Sequence, residues 1–262
     1  MISDMELLGR KAIKKVAIIV SVLVLSACLS QDRQTGSVPA VGSGIVQEKN
    51  VTIAVLGGTG MVGGFVLQEA LAQGYAVRAL ARTPQKLDTL KGQITIVQGD
   101  ARDPSAIAAL LRGSNIVISA LGPVKADGDA ARMISTTATG HIIQLMPEYN
   151  IKRYILVSGA AVMIPGDDRN LTGWLMQQMA AVTLHDTLED KQAEYQLLAD
   201  SSVQWTLVRC PLIGPEPFKH KPRVSLDTPI SFSLRAGELA RFIIEQIDSD
   251  EFIRKGPFLD SQ

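Results

Sequence analysis

Residues 51–63 read VTIAVLGGTGMVG, and this stretch decides the fold. Residues 51–56 form a short run of β-branched and apolar side chains, the pattern of a strand buried on both faces. Gly57, Gly60 and Gly63 follow at three-residue spacing. From Met61 the pattern turns helical, through Val62, Phe65, Val66, Glu69 and Ala70 to Gly74. Strand, glycine turn and helix in that order are the context in which a glycine motif points to a dinucleotide site. Gly57 allows the tight turn, Gly60 lets backbone approach a pyrophosphate, and Gly63 brings helix against strand. Thr59, Met61 and Val62 line the same turn. The helix N-terminus then faces the phosphate charge. A glycine-rich turn without a ligand is the alternative, and the surrounding strand and helix weigh against it.

The chain has 262 residues, 46% of them hydrophobic, enough for one full core with extensions. Its 26 basic and 26 acidic side chains give no excess that would point to nucleic acid. The N-terminus is a separate matter. Arg10, Lys11, Lys14 and Lys15 precede an apolar run at residues 16–25, interrupted only by Ser21, and Leu25-Ser26-Ala27-Cys28 follows. The run is shorter than the 20 or so residues needed to cross a bilayer, and it reads as a secretory signal. Residues 25–28 resemble the lipobox of bacterial lipoproteins, which implies that Cys28 carries lipid and becomes the mature N-terminus.

Residues 1–27 are therefore expected to be a lipoprotein signal peptide and 28–50 a lipidated cysteine with a flexible tether. That tether has a reach of roughly 25 Å. The expected location is the bacterial cell envelope, held to the membrane through Cys28. An uncleaved or misassigned leader would instead leave the domain in the cytoplasm. With Cys28 lipidated, Cys210 is the only other cysteine, so no intrachain disulfide is expected. Cys210 sits in an apolar run and reads as a core residue.

The folded domain is expected over 51–262. Strands are read at 76–81, 94–97, 116–119, 154–157 and 205–208. Helices are read at 84–90, from Asp103-Pro104 to Gly113, through Met133 to Leu145, at 171–182, 187–199 and 236–247. Residues 211–222 read as a proline-rich loop. This alternation predicts a doubly wound α/β fold, a parallel sheet covered on both faces.

The segments GGTGMVG, LARTP, VQGDARD, SALG, VSG and QWTLVRCPLIG together resemble the atypical short-chain dehydrogenases of the NmrA-like and biliverdin/flavin-reductase-like group. The resemblance covers nearly all of 51–262 and implies an NAD(P)-binding Rossmann domain with a small C-terminal substrate region. It places Arg82 at the ribose 2′ position, where arginine suits the phosphate of NADP better than the hydroxyl of NAD. It implies that Asp100 contacts the adenine and that Leu121 and Gly122 lie along the cofactor. A solvated charge at Arg82 and a turn-forming role for Asp100 are the plainer alternatives.

The resemblance specifies less about the reaction. Catalytic short-chain dehydrogenases use a Tyr-x-x-x-Lys pair for proton transfer. Four residues beyond Tyr75, Tyr149, Tyr154 and Tyr195 stand Ala79, Arg153, Ser158 and Ala199, so the pair is absent. Ser158 matches the family's strand-end serine and could bond a substrate carbonyl. Lys191 precedes Tyr195 by one helical turn, so a reversed pair is conceivable, with a surface pair the stronger reading. Met163, Trp174, Met176 and Met179 fall in the family's variable substrate region, and their spacing favours core packing. Two functions follow: an NADP-dependent reductase acting on a small conjugated or quinone-like acceptor, or a non-catalytic NADP-binding sensor of NmrA-like type.

Overall fold

The computed structural model describes residues 49–123, 128 and 132–262. The leader, Cys28 and the tether as far as residue 48 lie outside the described residues. Strand β1 (Lys49–Leu56) begins two residues before the expected boundary. The Lys49 ammonium reaches Tyr75 Oη at 2.6 Å and Asp248 at 3.1 Å, which fixes this end of the strand.

Eight strands form the main sheet. They are β1, β2 (Tyr75–Ala81), β3 (Thr95–Gln98), β4 (Ile116–Ser119), β5 (Arg153–Gly159), β6 (Gln204–Cys210), β8 (Arg223–Ser225) and β10 (Phe258–Asp260). Their order is β3-β2-β1-β4-β5-β6-β10-β8, and only the edge strand β8 runs antiparallel to its neighbour. Two short strands, β7 (Leu212–Gly214) and β9 (Ser233–Arg235), pair with each other in a second sheet. The doubly wound, mostly parallel architecture is the expected one. The loop read at 211–222 is corrected: it opens with β7. The four short strands β7 to β10 were not expected, because a three-residue strand has no period to read.

The helices are α1 (Met61–Ala72), α2 (Pro104–Leu111), α3 (Ile134–Leu145), α4 (Leu171–Thr183), α5 (His185–Asp200) and α6 (Ala236–Glu245). Residues Pro84–Leu90 form a 3-10 helix. Asp103 caps α2 as its sequence predicts, accepting the Ser105 amide at 2.8 Å with Pro104 in the first turn. Met133 takes a left-handed conformation with φ of 56°, so α3 starts one residue later than expected.

Alternation along β1 divides the core. Ile53 and Val55 pack with Val66, Leu67 and Ala70 of α1 and with Leu239, Phe242 and Ile243 of α6. Ala54 and Leu56 face the opposite layer, with Ile107 and Leu110 of α2, Ala138 and Ile142 of α3, and Leu198 of α5. Each face of the sheet is therefore closed by helices, as a parallel sheet requires. Cys210 is buried in the first layer, and burial pushes its thiol pKa up, in keeping with a core role.

Candidate functional site

The strand order reverses between β1 and β4, and open α/β sheets bind ligands in the crevice at such a switch point. The two loops that meet there are 57–60 and 120–123. They touch closely: a Cβ on Gly57 would lie 2.5 Å from the Ala120 carbonyl oxygen, and Gly57 has φ of 76°. A Cβ on Gly63 would lie 2.0 Å from the Gly57 carbonyl oxygen, so both positions admit only glycine. Gly60 differs, since its Cβ would approach only the Gly57 oxygen, at 3.3 Å, and would otherwise project into open space.

Gly60 is also the N-cap of α1. It supplies no side-chain cap, and the first turn contains no acidic residue. Helical geometry leaves the first amides of α1 without intrahelical acceptors. Together with exposed Thr59 and Met61 they form a cradle lined by backbone N–H groups, and it fits a pyrophosphate.

At the far end of the crevice, Arg82 follows β2 and Asp100 follows β3. Asp100 accepts the Arg102 backbone amide at 2.9 Å and its guanidinium at 2.9 and 2.6 Å. Bonding to Arg102, with Arg82 as a further positive neighbour, holds the Asp100 pKa down at about 2. Arg102 belongs to the VQGDARD segment but was not singled out in the sequence. Its two-residue offset from Asp100, in a turn after a strand, was the available signal.

On the substrate side, Ser158 ends β5. Its hydroxyl is buried and has no hydrogen-bond partner. Lys191, beside it on α5, is not the surface residue that the sequence favoured. Its ammonium donates to the Leu121 carbonyl at 3.0 Å, the Val157 carbonyl at 3.1 Å and the Glu194 carboxylate at 2.8 Å. These three bonds use all its donors. Glu194 is fully buried and also accepts from Thr139, which bonds Tyr154. Burial raises the Glu194 pKa, against the pull of Lys191. One position before Lys191, Asp190 accepts the Ser135 and Thr136 amides at the start of α3, at 3.0 and 2.8 Å.

Tyr195 is likewise buried rather than on the surface. Its ring packs edge-on to Trp205 at 5.9 Å, and Lys191 makes no hydrogen bond to it. The sequence suggested core packing for Met163, Trp174, Met176 and Met179, but only Met176 is buried.

The connection from β5 to α4 is pinned from beneath. Arg209 of β6 donates to Asp167 at 2.6 Å and to the Val162 carbonyl at 3.1 Å. Arg169 bonds the same carboxylate and the Ala160 carbonyl at 2.7 Å. The Arg209 guanidinium also stacks on the Phe258 ring, with 3.6 Å to its centroid. Arg209 lies in the QWTLVRCPLIG segment, and its partners, at 42 and 47 residues' distance, were not readable from that run.

A family profile described as NAD(P)H-binding matches residues 57–250. The photosystem II assembly factor Ycf39 of Synechocystis is 22% identical over 214 residues, spanning 78% of this chain and 60% of that protein. Cinnamoyl-CoA reductase 1 of Oryza sativa subsp. japonica is 26% identical over 123 residues, covering 43% of this chain and 36% of that one. The chain thus spans less than two thirds of the length of these curated relatives. Among solved structures, the anaerobilin reductase ChuY of Escherichia coli O157:H7 matches with a TM-score of 0.66 and 21% identity, covering 80% of this chain and 96% of ChuY. A profile match across most of the described domain, on a fold whose glycine cradle is intact, makes this chain a member of the NAD(P)H-binding Rossmann family.

Proposed function

We propose that this chain is an NADP-dependent reductase, passing hydride to a small conjugated or quinone-like acceptor. One observation carries the reading: the Ser158 hydroxyl, buried and unpartnered at the end of β5. A buried hydroxyl without a partner is destabilising, and a ligand that accepts from Ser158 at the strand end supplies the missing partner. The nicotinamide, when bound, supplies the hydride. The cradle at 57–63 holds the pyrophosphate, Arg82 and Arg102 face the 2′-phosphate, and Asp100 orients Arg102 beside the adenine. Lys191 holds the Leu121–Gly122 loop and the end of β5 at a set separation. Ser158 donates a hydrogen bond to the acceptor oxygen, and water entering the crevice with the acceptor supplies the proton that completes the reduction. Ser158→Ala is expected to lower kcat for a quinone acceptor by about 100-fold while NADPH affinity is unchanged. Unchanged kcat would remove Ser158 from the reaction.

The sensor reading is favoured by the placement of Tyr195 and Lys191, which are committed to the core and to structural carbonyls. NADPH binding without oxidation by quinones or flavins would select it. Envelope location and lipid attachment at Cys28 stand as part of the same proposal, on the leader sequence alone.

A further inference from the structure

Helix α4 carries no Asp, Glu, Lys or Arg, and none occurs from residue 171 through Leu184. Gly173 and Met176 bury one side of it against the domain. The opposite side is exposed and apolar: Leu171 at 79%, Trp174 at 52%, Leu175 at 43% and Val182 at 72%. Spacings of three, four and eleven residues put these four in a stripe about 100° wide, interrupted by one exposed polar side chain, Gln178. A helix that is apolar on both sides packs on both sides. Here the inner side is packed and the outer side has no cover among the described residues.

A loop beside the first turn of the helix adds exposed apolar side chains. Thr228 accepts the Asn170 amide at 3.2 Å and donates to the Asn170 side chain at 3.0 Å. Gly173 sits so close that a Cβ there would lie 2.9 Å from Thr228 Oγ1. This fixes the 226–230 loop against the first turn of α4, and the loop exposes Leu226 and Ile230. An aromatic ring, five branched aliphatic side chains and no charge along the helix fit hydrocarbon at a headgroup boundary, with Asp227 the one exposed charge in the 226–230 loop.

We propose that this face, α4 with the 226–230 loop, lies on the lipid bilayer to which the N-terminus is attached. The proposal rests on the lipid-anchor reading and not on the reductase one. The anchor gives the argument for the occupant. On the lipid-anchor reading, the short chain from Cys28 to β1 reaches roughly 25 Å and keeps the domain within a few nanometres of the bilayer, at high effective concentration. At thirteen residues α4 is about 20 Å long, too short to span, and no helix among the described residues is long and apolar enough to cross a membrane. It therefore lies along the surface. The helix follows the loop leaving β5, so docking brings the Ser158 side of the crevice towards lipid.

Trp174 is its own reporter, because the only other tryptophan, Trp205, is buried in the core. The protein as processed in the cell and extracted from its membranes is reconstituted in phosphatidylcholine–phosphatidylglycerol vesicles with and without brominated lipid. A Trp205→Phe form is measured alongside it. The expected result is a blue-shifted Trp174 emission that brominated lipid quenches. The double variant Leu175→Lys, Val182→Lys should lose that quenching with unchanged far-UV circular dichroism. Vesicle-bound protein with unquenched Trp174 overturns the docking while leaving the anchor in place. Blue-shifted but unquenched emission overturns it in favour of a second copy covering the face. Protein that stays in solution overturns both docking and anchor, and NADPH titration of the same samples reports the reductase site independently.

Discussion

A methyl group at Gly63 would sit 2.0 Å from the Gly57 oxygen, and one at Gly57 would press 2.5 Å from the Ala120 oxygen. These contacts set how near α1, β1 and β4 approach, and so set the width of the cradle. Charge at the other end is equally local. The folded Asp100 carboxyl, at about 2, lies below its ordinary 3.8. Between those values the unfolded chain binds more protons, so the stability from Asp100 is whole above pH 4 and is lost as pH falls through 2. Asp100→Asn should therefore lower the urea midpoint at pH 7 and leave it nearly unchanged near pH 2. An equal deficit at both values would show that the Arg102 contact contributes nothing through charge. Gly60 and Gly63 are legible in the sequence because each answers a constraint within six residues, whereas Gly57 is legible only as a turn glycine and its contact with Ala120 lies far along the chain. Lys191 is not legible, because its acceptors Leu121 and Val157 stand 70 and 34 residues away.

Helix α5 acts as a bracket. Through Asp190 it caps α3, and through Lys191 it ties together the ends of β4 and β5. Removing one partner of a buried ion pair is costly, since the other charge is left without compensation. Lys191→Met should cost about 3 kcal/mol at pH 7, read by urea unfolding. Glu194 is already raised by burial, and without Lys191 it rises further. Its protonated form contributes stability that is present at low pH and lost as pH rises through the folded value. The deficit of the variant should therefore shrink as pH falls from 7 towards 5; a deficit independent of pH would mean that Glu194 is not the stranded group. Long elements with strong periods were readable, and α4 and α5 were placed within two residues. The short strands β7 to β10 take their pairing from distant segments, with β10 joining β6 at a single register pair, Phe258 with Arg209. The α4 pattern was legible as apolar, but which side faces the protein was not, because both sides read alike.

For the whole molecule, strand order places the glycine turn, the Asp100 turn, the Leu121–Gly122 loop and Ser158 at the same edge of one sheet. They come from the C-terminal ends of β1, β3, β4 and β5, so the alternation of strands and helices was enough to predict their grouping. Their division of labour was not, because it depends on which side chains are already engaged. The central claim is that the turn at 57–63 holds NADP(H). It is tested most directly by titrating the protein with NADPH and NADH, following cofactor fluorescence, beside Gly60→Glu. The glutamate projects into the open side of the cradle and sets a negative charge where phosphate would lie. NADPH is expected to bind more tightly than NADH, and Gly60→Glu to lose both with unchanged far-UV circular dichroism. Wild-type protein that binds neither, or a Gly60→Glu form that binds as well as wild type, would contradict it.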